Sequence, residues 1–333
     1  MTTPPVFPVL VLGHDAVTPA AADAVLRGAL VAAPDVAVLE VTGPGAVACI
    51  QGLLTNDIEA PGAGAFVYGA VLTPKGMIVC DLWVERDRTS VRLTVPRQGV
   101  GALLEILRRS LPPRLARVVE SPEQGALHLV GPRALEVATR AGLALPAEGR
   151  WGSAILTEVT TSLARPAAGA PFAGQVLVAR AQAPDLASRL RAAGAVQGGV
   201  VDLELARVLA GWPRLGAEID DKTLPQEVRY DEIGGVSYTK GCYTGQETVA
   251  RIHFRGHPNR ELRGLVWDDA PDVARPTVEE DGRPRGRVTS VAWLPDGPVV
   301  GLALLRREVE RDRPVLAAGA PARVVLLPFQ LGG

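Results

Sequence analysis

The chain has 333 residues, past the length at which one hydrophobic core stops growing, so two or three domains are expected. Apolar residues make up 47% and charged residues 21%, a globular composition, and a net charge of −1 supplies no general field for nucleic acid or an anionic membrane. The start, Met1 to Pro8, lacks a basic n-region and an apolar h-region, and no apolar run reaches membrane-span length. Cys49, Cys80 and Cys242 are odd in number, with no CxxC pair. The expectation is a cytoplasmic protein without a disulfide framework, a zinc ribbon, a metal centre of its own or a membrane contact.

In chain order, residues 38–50 (VLEVTGPGAVACI) read as strand, Gly-Pro turn and helix, with Cys49 as a small core residue of the helix. Asn56 and Asp57 follow at positions suited to a helix C-terminal cap and turn. Two strand-like runs, 66–72 and 77–84, joined by Thr73-Pro-Lys-Gly76, form a predicted hairpin. Alternation puts Asp81 on the face opposite Cys80 and Leu82, and a carboxylate in so apolar a strand needs a partner or a ligand. A strand at 91–95 then leads into a helix at 100–107.

Residues 127–138 (LHLVGPRALEVA) echo the first strand–Gly-Pro–helix unit, with Gly131 lying 88 residues after Gly43, and a strand at 176–179 again precedes a helix at 186–192. That offset fits a duplicated α+β unit of β-α-β-β-α-β type. A helix at 202–210, carrying Arg207, breaks at Gly211-Trp-Pro213, and Glu218 follows in a Gly/Pro-rich segment. From about residue 260 short strands alternate with Pro/Gly/Asp turns, the pattern of a small β-barrel.

The densest polar run is Lys240-Gly-Cys-Tyr-Thr-Gly-Gln-Glu-Thr-Val-Ala-Arg251, on a loop entering a helix. Lysine occurs only at positions 75, 222 and 240, so a lysine two residues before Cys242 stands out against an arginine background. Two readings are open here. An ammonium and a helix N-terminus favour a reactive thiolate at Cys242; alternatively Gly241 and Gly245 make a tight turn that Cys242 fills, with Lys240 solvated. Glu247 and Arg251 have i,i+4 spacing for a helix-surface ion pair, and His253 and His257 show no orienting carboxylate in the sequence. Asp81, Arg207 and Glu218, facing one cavity, would hydrogen-bond a polar heterocycle.

These segments, with Gln51 to Ile58, Tyr68 to Gly76, Arg207 to Glu218, Leu224 to Glu227 and above all KGCYTGQE at 240–247, resemble the YgfZ/GcvT-like folate-binding family, specifically its YgfZ branch. The resemblance implies an α+β fold: two related ferredoxin-like domains and a C-terminal β-barrel in a ring around a central channel holding tetrahydrofolate. The corresponding division is 30–115 with 200–255 for the central domain carrying the KGCYTGQE loop, 1–29 with 116–199 for the second, and 258–333 for the barrel. It implies an accessory role in assembly or repair of iron–sulfur proteins, including tRNA-thiolating enzymes, with iron–sulfur client or assembly proteins as partners and no direct nucleic-acid contact.

By motif position, Lys240, Gly241, Cys242, Tyr243, Gly245, Gln246, Glu247 and Arg251 fall on the working loop, with Cys242 as its reactive residue. Asn56, Asp81, Arg207 and Glu218 fall on folate-cavity segments. The alternative is a folate-dependent aminomethyl or methyl transferase of the glycine-cleavage T-protein type. Against it, the segment expected to hold that family's glycine-tyrosine-rich, folate-contacting loop, residues 160–175, contains no acid.

Overall fold

In the computed structural model, residues 8–330 except 14, 157, 158, 296 and 312 are described; the first seven, where no signal-peptide pattern was read, lie outside them. The apolar strand Val36–Thr42 turns at Gly43, whose φ is +123°, into the helix Ala46–Gln51. A Cβ on Gly43 would stand 2.5 Å from the Leu115 carbonyl oxygen, so sterics and backbone angle both require glycine. The same device recurs at Gly131, φ +98°, between strand Gln124–Val130 and helix Ala134–Arg140, where the Ala24 and Gly28 carbonyls fill the side-chain position. The sequence echo is therefore a repeat of backbone conformation.

Each repeat builds one half of an eleven-stranded sheet and packs its own helices on one face. In the first half, helices Ala46–Gln51 and Val100–Ser110 cover Leu39, Cys80, Leu82, Val84 and Leu93. In the second, helices Ala134–Arg140 and Ala183–Ala192 cover Val31, Leu127, Leu129, Leu163 and Val176. The halves join where Ala65 pairs with Arg150. The sheet curls so far that Glu85, on strand Ile78–Arg86, hydrogen-bonds Ser162 and Gln175 on strands Val159–Arg165 and Gly174–Ala179 of the other half.

Six C-terminal strands, from Arg260–Trp267 to Ala320–Val325, close into a barrel because Arg283–Trp293 also pairs with Val299–Arg306. Two of them, Thr277–Glu280 and Pro314–Ala317, have only four residues each and were not apparent in the sequence pattern. The segment Leu10–Leu12 adds to the barrel as a parallel strand on Arg283–Trp293. All three parts meet in a central core containing Tyr68, Leu205, Trp212, Tyr230, Ala292 and Leu302.

One expectation is corrected. Residues 160–175 are not a continuous loop: Val159–Arg165 is a strand paired with Arg150–Leu156, and only about eight residues, 166–173, connect it to Gly174–Ala179. Its alternation was obscured because Thr160, Thr161 and Ser162 are polar, yet Thr161 and Ser162 are buried between the half-sheets.

Candidate functional site

Strand alternation creates the site. Cys80, Leu82 and Val84 of Ile78–Arg86 enter the first half's core, and Asp81, Trp83 and Glu85 point to the opposite, concave side. There Asp81 and Trp83 border a cavity of about 270 Å³ whose wall also includes His128, Phe172, Arg207 and Trp212. The rings are packed edge and face: Trp83 stacks with Trp212 at 5.8 Å between centroids and meets Phe172 edge-on at 4.9 Å. Phe172 in turn stacks on His128 at 4.0 Å. Such a wall suits a flat, apolar-faced ring.

Asp81 supplies the polar end. Its Oδ2 accepts the Tyr68 hydroxyl at 3.1 Å, and Tyr68 meets the Tyr230 hydroxyl at 3.2 Å. Its Oδ1 is buried with no hydrogen-bond partner among the described residues. Burial pushes the carboxyl up to about 6, against the pull of the Tyr68 hydroxyl and the charges of Arg207 and Arg214. A second orphan lies in the same wall: Nε of Arg214 is buried and unpartnered. An unmade acceptor and an unmade donor in one aromatic-lined cavity fit a planar heterocycle that carries both N–H and carbonyl groups.

Arg207 lines this cavity but is largely engaged elsewhere. Its guanidinium donates to Glu204 Oε2 at 2.8 Å, Trp212 O at 2.7 Å, Glu218 Oε2 at 2.9 Å and Ser290 Oγ at 2.8 Å. Glu218 accepts from Arg207, the Arg214 backbone N–H, Thr289 and Ser290, and is absent from the cavity wall. The pair fastens helix Val200–Ala210 to barrel strand Arg283–Trp293. Asn56 is likewise not in that wall: its Nδ2 donates to the Tyr68 and Gly234 carbonyls. Of the four residues read as cavity ligands, Asp81 and Arg207 come together there, whereas Asn56 and Glu218 do not.

The 240–251 run forms a separate site. The Lys240 ammonium is buried, donating to the carbonyls of Gln51 and Leu54 at 2.6 Å each and of Asn56 at 2.9 Å. It thereby caps the C-terminal end of helix Ala46–Gln51 and the turn after it. Burial brings its pKa down to about 8, opposed by the nearby Asp57 and Glu59 carboxylates. Its charge also sits 5.1 Å from the centroid of the buried Tyr243 ring. Of the two sequence readings, the one with a solvated Lys240 is corrected: all three donors are spent on backbone.

Gly245, at φ +83°, lets the loop lie against the hairpin turn, since a Cβ there would be 2.5 Å from the Thr73 carbonyl oxygen. Gly76 packs back on Thr248. Gln246 Oε1 accepts the Tyr243 N–H at 3.3 Å and opens helix Gln246–Arg255. With its ends pinned, the loop presents Gly241 and Cys242 to solvent, and Glu247 and Arg251 are exposed on the helix without an ion pair between them among the described residues. Cys49, by contrast, is half-buried against the first half's core.

Two clusters escaped the sequence reading. Glu85 is buried beside Arg92 at 2.6 Å, with Ser162 and Gln175 as further donors; its i+4 spacing from Asp81 on the same strand face was the available signal. The other joins His253 Nδ1 to Asp231 Oδ2 at 3.4 Å, with the Tyr238 hydroxyl on Asp231 Oδ1 and the Tyr238 ring stacked on His253 at 3.6 Å. His253 therefore does have an orienting carboxylate, 22 residues upstream, a distance no local motif reveals.

Fold and cavity together define a curled, duplicated α/β sheet capped by a closed barrel, with a heterocycle-sized chamber at its centre. The chain belongs to the GCVT N-terminal domain family, whose profile matches residues 27–233, more than half of its length. A protein named tRNA-modifying protein YgfZ from Yersinia pseudotuberculosis is 27% identical over 302 residues, covering 89% of this chain and 90% of that protein. One of the same name from Vibrio atlanticus is 33% identical over 135 residues, a shorter match that spans 42% of its length. The crystal structure of glycine cleavage system aminomethyltransferase T from Bartonella henselae superposes with a TM-score of 0.77 at 20% identity, covering 93% of this chain and 88% of that one, a likeness of fold.

Proposed function

We propose that this protein binds a folate, tetrahydrofolate or a derivative, in the central cavity and serves as an accessory factor in assembly or repair of iron–sulfur proteins, with the Cys242 loop as its working site. The observation that carries the reading is Asp81 Oδ1, a buried acceptor without a partner in the wall of an aromatic-lined cavity. A pteridine supplies both the flat faces for Trp83, Trp212 and Phe172 and the N–H group for Asp81. The client role draws on the KGCYTGQE loop and on the relatives' printed name, tRNA-modifying protein; enzymes that thiolate tRNA are the expected clients. Cytoplasmic location belongs to the same reading, and among the described residues no helix is long and apolar enough to cross a membrane.

Tetrahydrofolate titration followed by tryptophan fluorescence tests the cavity, since Trp83 and Trp212 form its wall. Wild type and Cys242→Ala should bind alike and Asp81→Ala should not; equal binding by all three removes Asp81 from the site. A gene deletion that leaves iron–sulfur enzymes and tRNA thiolation unchanged under oxidative stress would remove the client role.

A second reading, aminomethyl or methyl transfer, is favoured by one feature: an Asp81 carboxyl raised to about 6 is poised to exchange a proton near neutral pH. No methylenetetrahydrofolate formed from any methylamine or lipoyl-carrier donor would exclude it.

A further inference from the structure

A chain of hydrogen bonds runs from the deepest charge between the half-sheets to the cavity wall, and its chemistry fixes the direction of every donor. Glu85 sits beside Arg92 at 2.6 Å and takes the Ser162 hydroxyl at 2.9 Å on the same oxygen, Oε2. Burial raises its pKa, but the Arg92 guanidinium and the Ser162 hydroxyl oppose that rise, and as the ion-pair partner of Arg92 it is a carboxylate that only accepts. The amide of Gln175, fully buried, must therefore turn its NH₂ toward Glu85 Oε1, at 3.5 Å, and toward Thr94 Oγ1, at 3.2 Å. A flipped amide would set its carbonyl oxygen against the carboxylate.

That leaves Gln175 Oε1 facing His128 Nε2 at 3.2 Å, and an amide oxygen can only accept. The proton consequently resides on Nε2. Nδ1 carries a lone pair, and the ring's hydrogen bond among the described residues is made at Nε2. Burial holds the imidazole down at about 4, which keeps it neutral. Strand pairing sets the geometry, because His128 and Gln175 are direct register partners, and the ring is clamped face to face on Phe172.

We propose that His128 is a specificity-determining residue of the cavity: a neutral imidazole, locked by the Glu85–Gln175 pair in its Nε2–H form, whose Nδ1 accepts a hydrogen bond from a ligand N–H. Asp81 Oδ1 is buried and unpartnered, and the half-buried His128 ring lines the same cavity, so the wall offers a ligand two acceptors. This rests on the folate reading for its ligand. A reduced pteridine has N–H donors at N5 and N8, where the fully oxidised ring has only lone pairs. An imidazole lone pair set against that edge thus favours the reduced ring and opposes lone pair to lone pair in the oxidised one.

The test has two arms on the full-length protein. Long-range ¹H–¹⁵N spectra of the histidine-labelled chain, with His128→Phe for assignment, should show His128 as the Nε2–H tautomer at pH 7; an Nδ1–H or cationic ring overturns the proposal. In titrations with tetrahydrofolate and with folic acid, His128→Phe keeps the stack on Phe172 but removes the acceptor. It should weaken tetrahydrofolate about tenfold, the value of one hydrogen bond, while changing folic acid by less than about threefold. Equal changes for both, or none for either, overturn it. Failure of wild type to bind any folate would sink the functional reading instead, with the tautomer spectra still deciding the state of His128.

Discussion

Tyr68 gives its hydroxyl to Asp81 Oδ2 at 3.1 Å, and the other carboxylate oxygen is buried without a partner among the described residues. Stability and binding therefore oppose each other at Asp81. Its carboxyl is raised from 3.8 to about 6, so between these values the folded state holds a proton that the unfolded chain has released. Stability falls as pH rises through that window, and above it the ionised group costs on the order of 3 kcal/mol. Asp81→Asn should be the more stable protein at pH 7.5, with the advantage shrinking toward pH 4. Urea denaturation at the two pH values checks this, and a difference that widens on acidification would contradict it. The same variant should lose most of its affinity for tetrahydrofolate.

Lys240 predicts the opposite balance. Lys240→Met removes three hydrogen bonds from a cation to the Gln51, Leu54 and Asn56 carbonyls and uncaps a helix end. A loss of about 2 to 3 kcal/mol is expected. Lys240→Arg should not restore it, since a planar fork cannot replace a point charge among three converging oxygens. Denaturant midpoints measure the loss, and limited proteolysis between residues 234 and 245 should become faster in both variants.

Glu218 is a brace between helix and barrel. Glu218→Gln leaves the buried Arg207 with one carboxylate, Glu204, and turns an NH₂ toward groups that are donors, Thr289, Ser290 or Arg207 itself. The expected cost is about 3 kcal/mol or more, seen as a lower thermal midpoint. A variant as stable as wild type would mean that the brace contributes nothing net.

Much of this was legible in the sequence because it is local. The Gly-Pro turns at 43 and 131 announced the duplication, and alternation alone placed Asp81 against Cys80 and Leu82. Arg207 and Glu218 read as cavity ligands in the sequence, yet the groups they meet include Thr289 and Ser290, more than 70 residues further on, and Glu218 is not in the cavity wall. Neither sequence reading of Lys240, activator of Cys242 or solvated lysine, included its partners, for the same reason: they are backbone carbonyls some 185 residues earlier, and no side-chain motif encodes them. The short barrel strands at 277–280 and 314–317 were missed because four residues are too few to establish a period.

The last prediction separates the two sites. Cys242 is exposed, and none of residues 240–251 is in the cavity wall around Asp81. Cys242→Ala removes no packed group and no hydrogen bond, so stability should stay within about 0.5 kcal/mol and tetrahydrofolate affinity should not change. Iodoacetamide should label Cys242 in the native protein, with Cys80 protected until unfolding because it is fully buried. Restoration of a deletion strain is the discriminating measurement. Asp81→Ala and Cys242→Ala should both fail there, the first for want of ligand and the second with ligand bound, which would place the thiol after binding in the order of events. Full restoration by Cys242→Ala would instead reduce the loop to the architecture that Lys240, Tyr243 and Gly245 build.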